Sequence, residues 1–256
     1  IFVGAFNNTI RNNLISSNGW GGISIQDEGS SYNTIIGNLI GTDATGRAAL
    51  PNAGIGIISG NHNGGGRNRI GGTFPSDRNV IAGSLFVVSG AGTLILGNFI
   101  GTDVSATMSV GNTGYGIRIM DRATHTLIGG TTAGERNVSS GNAYGVSLES
   151  DYNFVLGNYI GTNGDGTTPL SNRGPGVWID TAENNIVQSN LIAHNTGDGV
   201  SVVSYPFNTI RRNSIHSNGG KGIALTNGGN KQLARPVISS VTINTVVGTA
   251  APGTTI

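Results

Sequence analysis

The sequence predicts an all-β solenoid, a parallel β-helix of about eight coils, and three observations carry that expectation. The first is a heptapeptide written three times. Gly37-Asn38-Leu39-Ile40-Gly41-Thr42-Asp43 returns as Gly97-Asn98-Phe99-Ile100-Gly101-Thr102-Asp103 and as Gly157-Asn158-Tyr159-Ile160-Gly161-Thr162-Asn163, each time 60 residues later. A fixed period marks stacked units that contact only their neighbours. The second is a shorter signature, Gly-Ile-x-Ile or a variant. It begins at Gly22, Gly54, Gly116, Gly145, Gly176, Gly199 and Gly222, with steps of 32, 62, 29, 31, 23 and 23. The step of 62 is two coils, with the hidden rung near Leu85-Phe86-Val87-Val88. The third is local pattern. Each run is three to five residues long, rich in Ile and Val, and alternates apolar with small or polar residues, as a half-buried strand does.

Composition narrows the alternatives. The chain has 256 residues, 44 of them Gly, without the every-third-residue spacing of collagen. Charged residues are 11% and the formal net charge is +1, which gives no basis for nucleic-acid binding. No apolar run approaches the roughly 18 residues of a membrane span. Cysteine is absent, so disulfides and thiolate metal sites are excluded. Ile1-Phe2-Val3-Gly4 has no features of a secretory leader, and Asn8-Thr9-Ile10 already belongs to the repeat. The chain is therefore expected to be a fragment or processed product.

Along the chain, Gly, Asn, Asp and Ser between the strands suit tight turns. Asn38, Asn98, Asn158, Asn190 and Asn213 recur at one point of the coil, where stacked amides would hydrogen-bond in a ladder. Long coils carry inserted loops: Asp43 to Pro51, Asp103 to Thr113 and Asn163 to Arg173 in one family, and those after Ile70-Gly71-Gly72-Thr73 and Ile128-Gly129-Gly130-Thr131 in another. The second family leads into Arg78-Asn79-Val80 and Arg136-Asn137-Val138. Loops gathered over one part of a solenoid suggest a binding surface there. From about Asn230 the pattern stops at Ala234-Arg235-Pro236, and two strands, Val237 to Ile243 and Val246 to Thr249, are expected around a turn. The expected organisation is a β-helix over 1–229 and a short C-terminal β-segment over 230–256, a cap or the start of a β-sandwich module.

Repeated Asn-x-Ile-x-x-Asn-x-Ile with Gly-Ile-x-Ile over residues 7 to 228 resembles the right-handed parallel β-helix repeats of the pectin-lyase-like superfamily. The Gly-Asn-x-Ile-Gly-Thr-Asp and Arg-Asn-Val-Ile variants look like those of repeat-rich secreted bacterial surface proteins. The resemblance implies a right-handed solenoid, secretion or a cell-surface location of bacterial type, and a superfamily that includes lyases, hydrolases, epimerases, tailspikes and adhesins. The superfamily's hydrolase signatures (Asn-Thr-Asp, Asp-Asp, Gly-His-Gly, Arg-Ile-Lys), the epimerases' Asp-Pro-His-Glu and the calcium-binding nonapeptides are absent. Gly64-Gly65-Gly66 lacks the strand-to-helix setting of a phosphate loop.

The residue between two inward Ile points outward, which puts Arg118, Ser147, Trp178 and Ser201 in one outer column. Asp121, Arg122, Glu149, Asp151, Asp180 and Glu183 follow the strands, and Tyr115 and Tyr144 precede the glycines. Glu149 and Asp180 are expected one rung apart, about 5 Å, which would suit a retaining carboxylate pair or a shared cation. For a polysaccharide lyase, Arg118 or Arg122 would neutralise a uronate while Glu149 or Asp180 moves the proton. Tyr115, Tyr144, Trp178, Asp151 and Glu183 would bind the sugar. The bland alternative is a solvated rim. Asp43 and Asp103, roughly 10 Å apart, either cap their own turns or contribute to a Ca²⁺ site. His62, His125, His194 and His216 are scattered, with His194 and His216 nearly one short coil apart. Arg11, Arg211 and Arg212 read as a basic rim. Two functions stay open: a structural and recognition scaffold that binds polysaccharide, and a carbohydrate-active lyase on an acidic glycan. The molecule is expected as a monomer or associating end to end.

Overall fold

The computed structural model describes residues 2–3, 6–26, 29–60, 65–232, 237–242 and 245–249. His62, Gly64, the Ala234-Arg235-Pro236 break, Ile243 and the tail from Ala251 to Ile256 lie outside the described residues. Each coil gives one strand to each of three parallel sheets. The first sheet has nine strands: Phe2–Val3, Ile23–Ile25, Ile57–Ser59, Leu85–Val88, Tyr115–Met120, Tyr144–Leu148, Val177–Asp180, Val200–Val203 and Ile223–Thr226. The second has eight, from Thr9–Arg11 to Thr209–Arg211, and the third eight, from Leu14–Ile15 to Ser214–His216. That makes eight complete coils and a further rung of the first sheet. A 3₁₀ turn at Gly229–Gln232 follows, then an antiparallel pair, Val237–Val241 with Val246–Thr249.

The hidden rung is present as Leu85–Val88. One rung sits differently from its expectation. Ile23 pairs with Ile57, not Ile55, so the strand is Ile57–Ser59 and the signature at Gly54 is two residues out of register. Both alignments keep Ile on the inward face, because the side-chain period of a strand is two. Only the closure of the coil selects between them.

The core is a set of axial stacks. Ile57, Leu85, Ile117, Val146, Val177 and Val200 lie in register on the first sheet with no exposed surface. Ile35, Ile70, Ile95, Ile128, Val155 and Val187 do the same on the second. Each such side chain contributes roughly 1.5–3 kcal/mol by leaving water. On the third sheet the stack is interrupted by Ser139, whose buried hydroxyl donates to Gly145 O at 2.8 Å.

The turns are held by asparagine ladders. Asn13, Asn38, Asn79, Asn98, Asn137, Asn158, Asn190 and Asn213 form one. Each member donates its backbone N–H and a side-chain N–H to the Oδ1 of the next. Nδ2 of Asn38, Asn98 and Asn158 also donates to a backbone carbonyl of the coil below. The five asparagines expected from sequence are all in it, and Asn79 and Asn137 of the Arg-Asn-Val segments fill the alternate coils. Two further ladders were not expected. One runs from Asn112 through Asn142, Asn172 and Asn195 to Asn218. The other joins Asn8, Asn33 and Asn68, then Asn153, Asn185 and Asn208. Thr93 and Thr126 are buried where the chain passes between those two groups, and Thr126 Oγ1 has no hydrogen-bond partner.

The inserted loops cover the third sheet. Antiparallel bridges close them at Thr42 and Ala49, Thr102 and Ser109, and Thr162 and Pro169. They also stack: Val104 N donates to Gly46 O and Gly164 N to Ala106 O, both at 2.9 Å. Ala106 of the second loop packs on Phe99 and Val138 of the sheet in a second buried cluster, with Tyr159 against it. The guanidinium groups of Arg78 and Arg136 lie 4.0 Å from the rings of Phe99 and Tyr159. The Gly-Thr-Asp loops thus cover the third sheet with apolar side chains turned to it.

Two stability predictions follow from the ladders. Asn98→Ala removes an acceptor used twice by Asn79 and the donors to Ile70 O and Asn137, and should cost about 3 kcal/mol. Asn13→Ala, at an exposed position of the same ladder, should cost less than about 1 kcal/mol. Chemical denaturation of the two variants checks the ratio. Thr126→Val removes the unpartnered hydroxyl at constant shape and should be neutral or gain about 1 kcal/mol by the same assay.

Candidate functional site

Alternation along the first sheet builds the site. Ile117 and Ile119 are fully buried, so Arg118 between them faces out. Pairing then aligns Ile58, Phe86, Arg118, Ser147, Trp178 and Ser201 in one outer column. Tyr115 pairs with Tyr144 in the column beside it. Glu149 and Asp180 each come one residue after the paired Leu148 and Ile179, so they stand on adjacent rungs. The expected surface residues are therefore brought together.

Their contacts are largely with one another. Arg118 and Glu149 form a bidentate ion pair, with Nε donating to Oε1 at 2.8 Å and Nη2 to Oε2 at 2.6 Å. The side chains are only 24% and 17% exposed. Ser147 Oγ adds a hydrogen bond to Glu149 Oε1 at 2.9 Å. The pair raises the pKa of Arg118 further, chiefly through the hydrogen bond to Glu149. The guanidinium also lies 4.7 Å from the Tyr115 ring centroid and 5.6 Å from that of Phe86. Asp180 is held above the usual carboxylate range, first by burial and then by the charge of Glu149. Burial likewise raises Tyr115, against the pull of Arg118.

The aromatic rings form a column of their own. Tyr115 and Tyr144 stack at 5.0 Å and 20°, and Tyr144 and Trp178 at 5.3 Å and 27°. Phe86 meets Tyr115 edge-on at 6.1 Å. Tyr144 is thus flanked by rings on both sides and has no free face for a sugar. What the column presents is ring edges, together with the side of Trp178 turned away from Tyr144. Among the described residues no aromatic ring lies against that side, where register places Ser201.

The remaining expected residues stand apart from this group. Arg122 is exposed in the turn after the strand, and its backbone N–H donates to Ser150 Oγ at 3.0 Å. Asp151 Oδ1 accepts from Glu183 N at 2.8 Å and ties two coils together. His125 stacks with Tyr152, and His194 meets His216 edge-on at 5.9 Å. Asp43 accepts from Arg47 N and Ala48 N and from the Thr45 hydroxyl. Asp103 accepts from Thr107 N, Met108 N and the Ser105 hydroxyl. Asn163 takes the same place toward Thr167 N and Thr168 N, so the turn uses the oxygen and does not need the charge. These bonds hold Asp43 below the usual range, led by the N–H of Ala48, and outweigh the burial that pushes Asp103 up. Among the described residues no three or more His, Asp or Glu side chains gather as metal ligands do. No helix among them is long and apolar enough to cross a membrane.

One feature of the outer face lies outside the residues that the repeat pattern singles out. A groove of about 610 Å³ lies on the same sheet, lined by Trp20, Ser24, Gln26, Ile55 and Ile58 among others. Trp20 is 88% exposed. Ile58 pairs with Phe86, so the groove runs into the aromatic column. The signal was present: Trp20 precedes Gly21-Gly22-Ile23 much as Tyr115 and Tyr144 precede Gly-Ile and Gly-Val.

A search of curated proteins finds no match. A family model described as right handed beta helix region matches residues 83–248, running from the hidden rung to the last antiparallel strand. With that match over well more than half of its length, and with three parallel sheets wound from successive coils, the chain belongs to the right-handed β-helix family.

Proposed function

We propose that this β-helix is a recognition scaffold of a secreted or cell-surface protein, and that it binds a polysaccharide along the outer face of its first sheet. The observation that carries the reading is the aromatic run Phe86, Tyr115, Tyr144 and Trp178, continuous with the Trp20 groove. From Ile58 to Trp178 is four rungs, about 19 Å at the spacing of adjacent strands, a length of several sugar units. Tyr and Trp offer large apolar bodies with a polar edge, which suits a ligand with C–H faces and hydroxyl rims. Prepaired Arg118 and Glu149 supply a fixed donor and acceptor beside them. A glycan panel read by calorimetry tests this. Trp178→Ala and Trp20→Ala should each weaken binding by about tenfold, near 1.4 kcal/mol. Absence of any bound glycan, or unchanged affinity in both variants, overturns the reading.

A second reading, a lyase on a uronic-acid glycan, is favoured by one observation. Asp180, half-buried beside Glu149, is an acid held above its ordinary range, as proton-transfer groups often are. In that reading Glu149 must exchange Arg118 for substrate. The sign of the Asp180 shift is checkable. The folded state binds its proton more tightly than the unfolded state, so its contribution to stability falls as pH rises from the unfolded to the folded pKa. Carboxyl resonances of Asp180 followed against pH should titrate above 3.8, and Glu149→Gln should move them downward. New absorbance of an unsaturated uronate, lost in Glu149→Gln, would establish the lyase. An inert protein on acidic glycans would remove it.

A further inference from the structure

The repeated heptapeptide opens on Gly37, Gly97 and Gly157, all with left-handed backbone at φ 67°, 67° and 65°. The first two are roofed by a loop from the next coil. A β-carbon built on Gly37 would stand 2.8 Å from Ser76 O, and one on Gly97 2.7 Å from Gly134 O. The amide N–H groups of these glycines meet Asp77 O and Glu135 O in the same loops, at 3.0 and 2.9 Å. The coil above Gly157 has no such insertion. Its N–H meets Gln188 O at 3.1 Å, and only Gly130, in the coil below, would touch an added β-carbon.

Where the roof would be, there is a cavity of about 160 Å³, well above the roughly 15 Å³ needed to hold one water. Its lining includes Gly130, Thr131, Thr132, Arg136, Gln188 and Ser189. Arg136 is fixed by its Nε donating to Gly157 O at 3.2 Å and by the ring of Tyr159. Among the described residues its two terminal nitrogens make no hydrogen bond. Gln188 accepts from Arg211 Nε at 2.7 Å through Oε1, which leaves its amide N–H₂ as a donor and brings a second cation near. Thr131 and Ser189 add hydroxyls. The acid of this loop, Glu135, lies at the cavity wall beside Gly130 and takes up the N–H and hydroxyl of Thr132, both at 2.9 Å, which leaves Arg136, Gln188, Thr131 and Ser189 as the donors for a ligand. A preorganised guanidinium with amide and hydroxyl donors around a small polar cavity suits an oxyanion.

We propose that this cavity binds a small oxyanion, a carboxylate, sulfate or phosphate group, either free or carried on an acidic glycan. The inference stands apart from the aromatic column. Calorimetric titration of the whole chain tests it, with sodium sulfate balanced by chloride in one arm and a uronic-acid oligosaccharide in the other. Saturable binding is expected in at least one arm. Arg136→Gln, checked for fold by circular dichroism, and Gln188→Glu should each weaken it tenfold or more. Arg78→Gln, the same stacked arginine in the preceding loop, should leave it unchanged. Trp178→Ala should leave sulfate binding unchanged, which separates this site from the sheet. Sulfate binding identifies the free ion as sufficient, and binding of the oligosaccharide alone identifies a glycan-borne group. No saturable binding in either arm, full binding by Arg136→Gln, or equal loss in Arg78→Gln overturns the proposal.

Discussion

One oxygen atom per turn organises this molecule. Along the ladder from Asn13 to Asn213 the asparagine Oδ1 of one coil receives both the backbone N–H and a side-chain N–H of the coil before it, and the other two ladders share the pattern at most links. That double acceptance fixes the height of the coil and the phase of its strands together. A slip of one residue would turn every inward Ile outward and leave the buried amides unpaired. The aliphatic stacks supply most of the favourable free energy, but they are not selective: Ile on Ile packs well in more than one register. The amides make one register much better than the others. The outer columns, including Arg118 above Phe86 and Trp178 above Ser147, inherit their alignment from it.

The sequence was most informative where period and chemistry agreed. The 60-residue repeat, the β-branched alternation and the recurrent Asn specify coil, strand and ladder, and all are present. It was ambiguous at Gly54-Ile55-Gly56-Ile57, where two alignments satisfy the alternation equally. The second and third ladders were hidden because their asparagines sit among Gly and Ser turns, and because Thr93 and Thr126 interrupt one of them. The candidate site was half legible. Which residues share the outer face follows from alternation. That Arg118 closes on Glu149, and that Tyr144 is flanked by two rings, does not, since these depend on side-chain rotamers across coils about 30 residues apart. Trp20 does not stand out in the repeat because its coil carries an additional glycine before Ile23.

Loop position divides the surface of the solenoid. The Gly-Thr-Asp loops fold back on the third sheet and bury Phe99 and Val138, so that sheet has apolar contacts on both faces. The first sheet carries no such cover over Tyr115 to Trp178, and its outer residues satisfy one another instead. This is an economical way to keep aromatic and charged groups at a surface. The stack removes much ring area from water, and the ion pair holds both long side chains in single conformations before any ligand arrives.

The ladders also have a direction. Between stacked asparagines the donor lies in the earlier coil and the Oδ1 acceptor in the later, while Nδ2 also reaches back to a carbonyl of the coil below. Translated along the axis, the ladder therefore turns its Oδ1 acceptors toward earlier coils and the backbone N–H groups of its asparagines toward later ones. It is a chemically polar object, like a screw with a single sense of advance. Two lengths of it can be spliced head to tail without loss, and a duplication of whole coils would propagate the pattern intact. An inverted segment would set like against like in the ladder, Oδ1 against Oδ1 at one junction and N–H against N–H at the other.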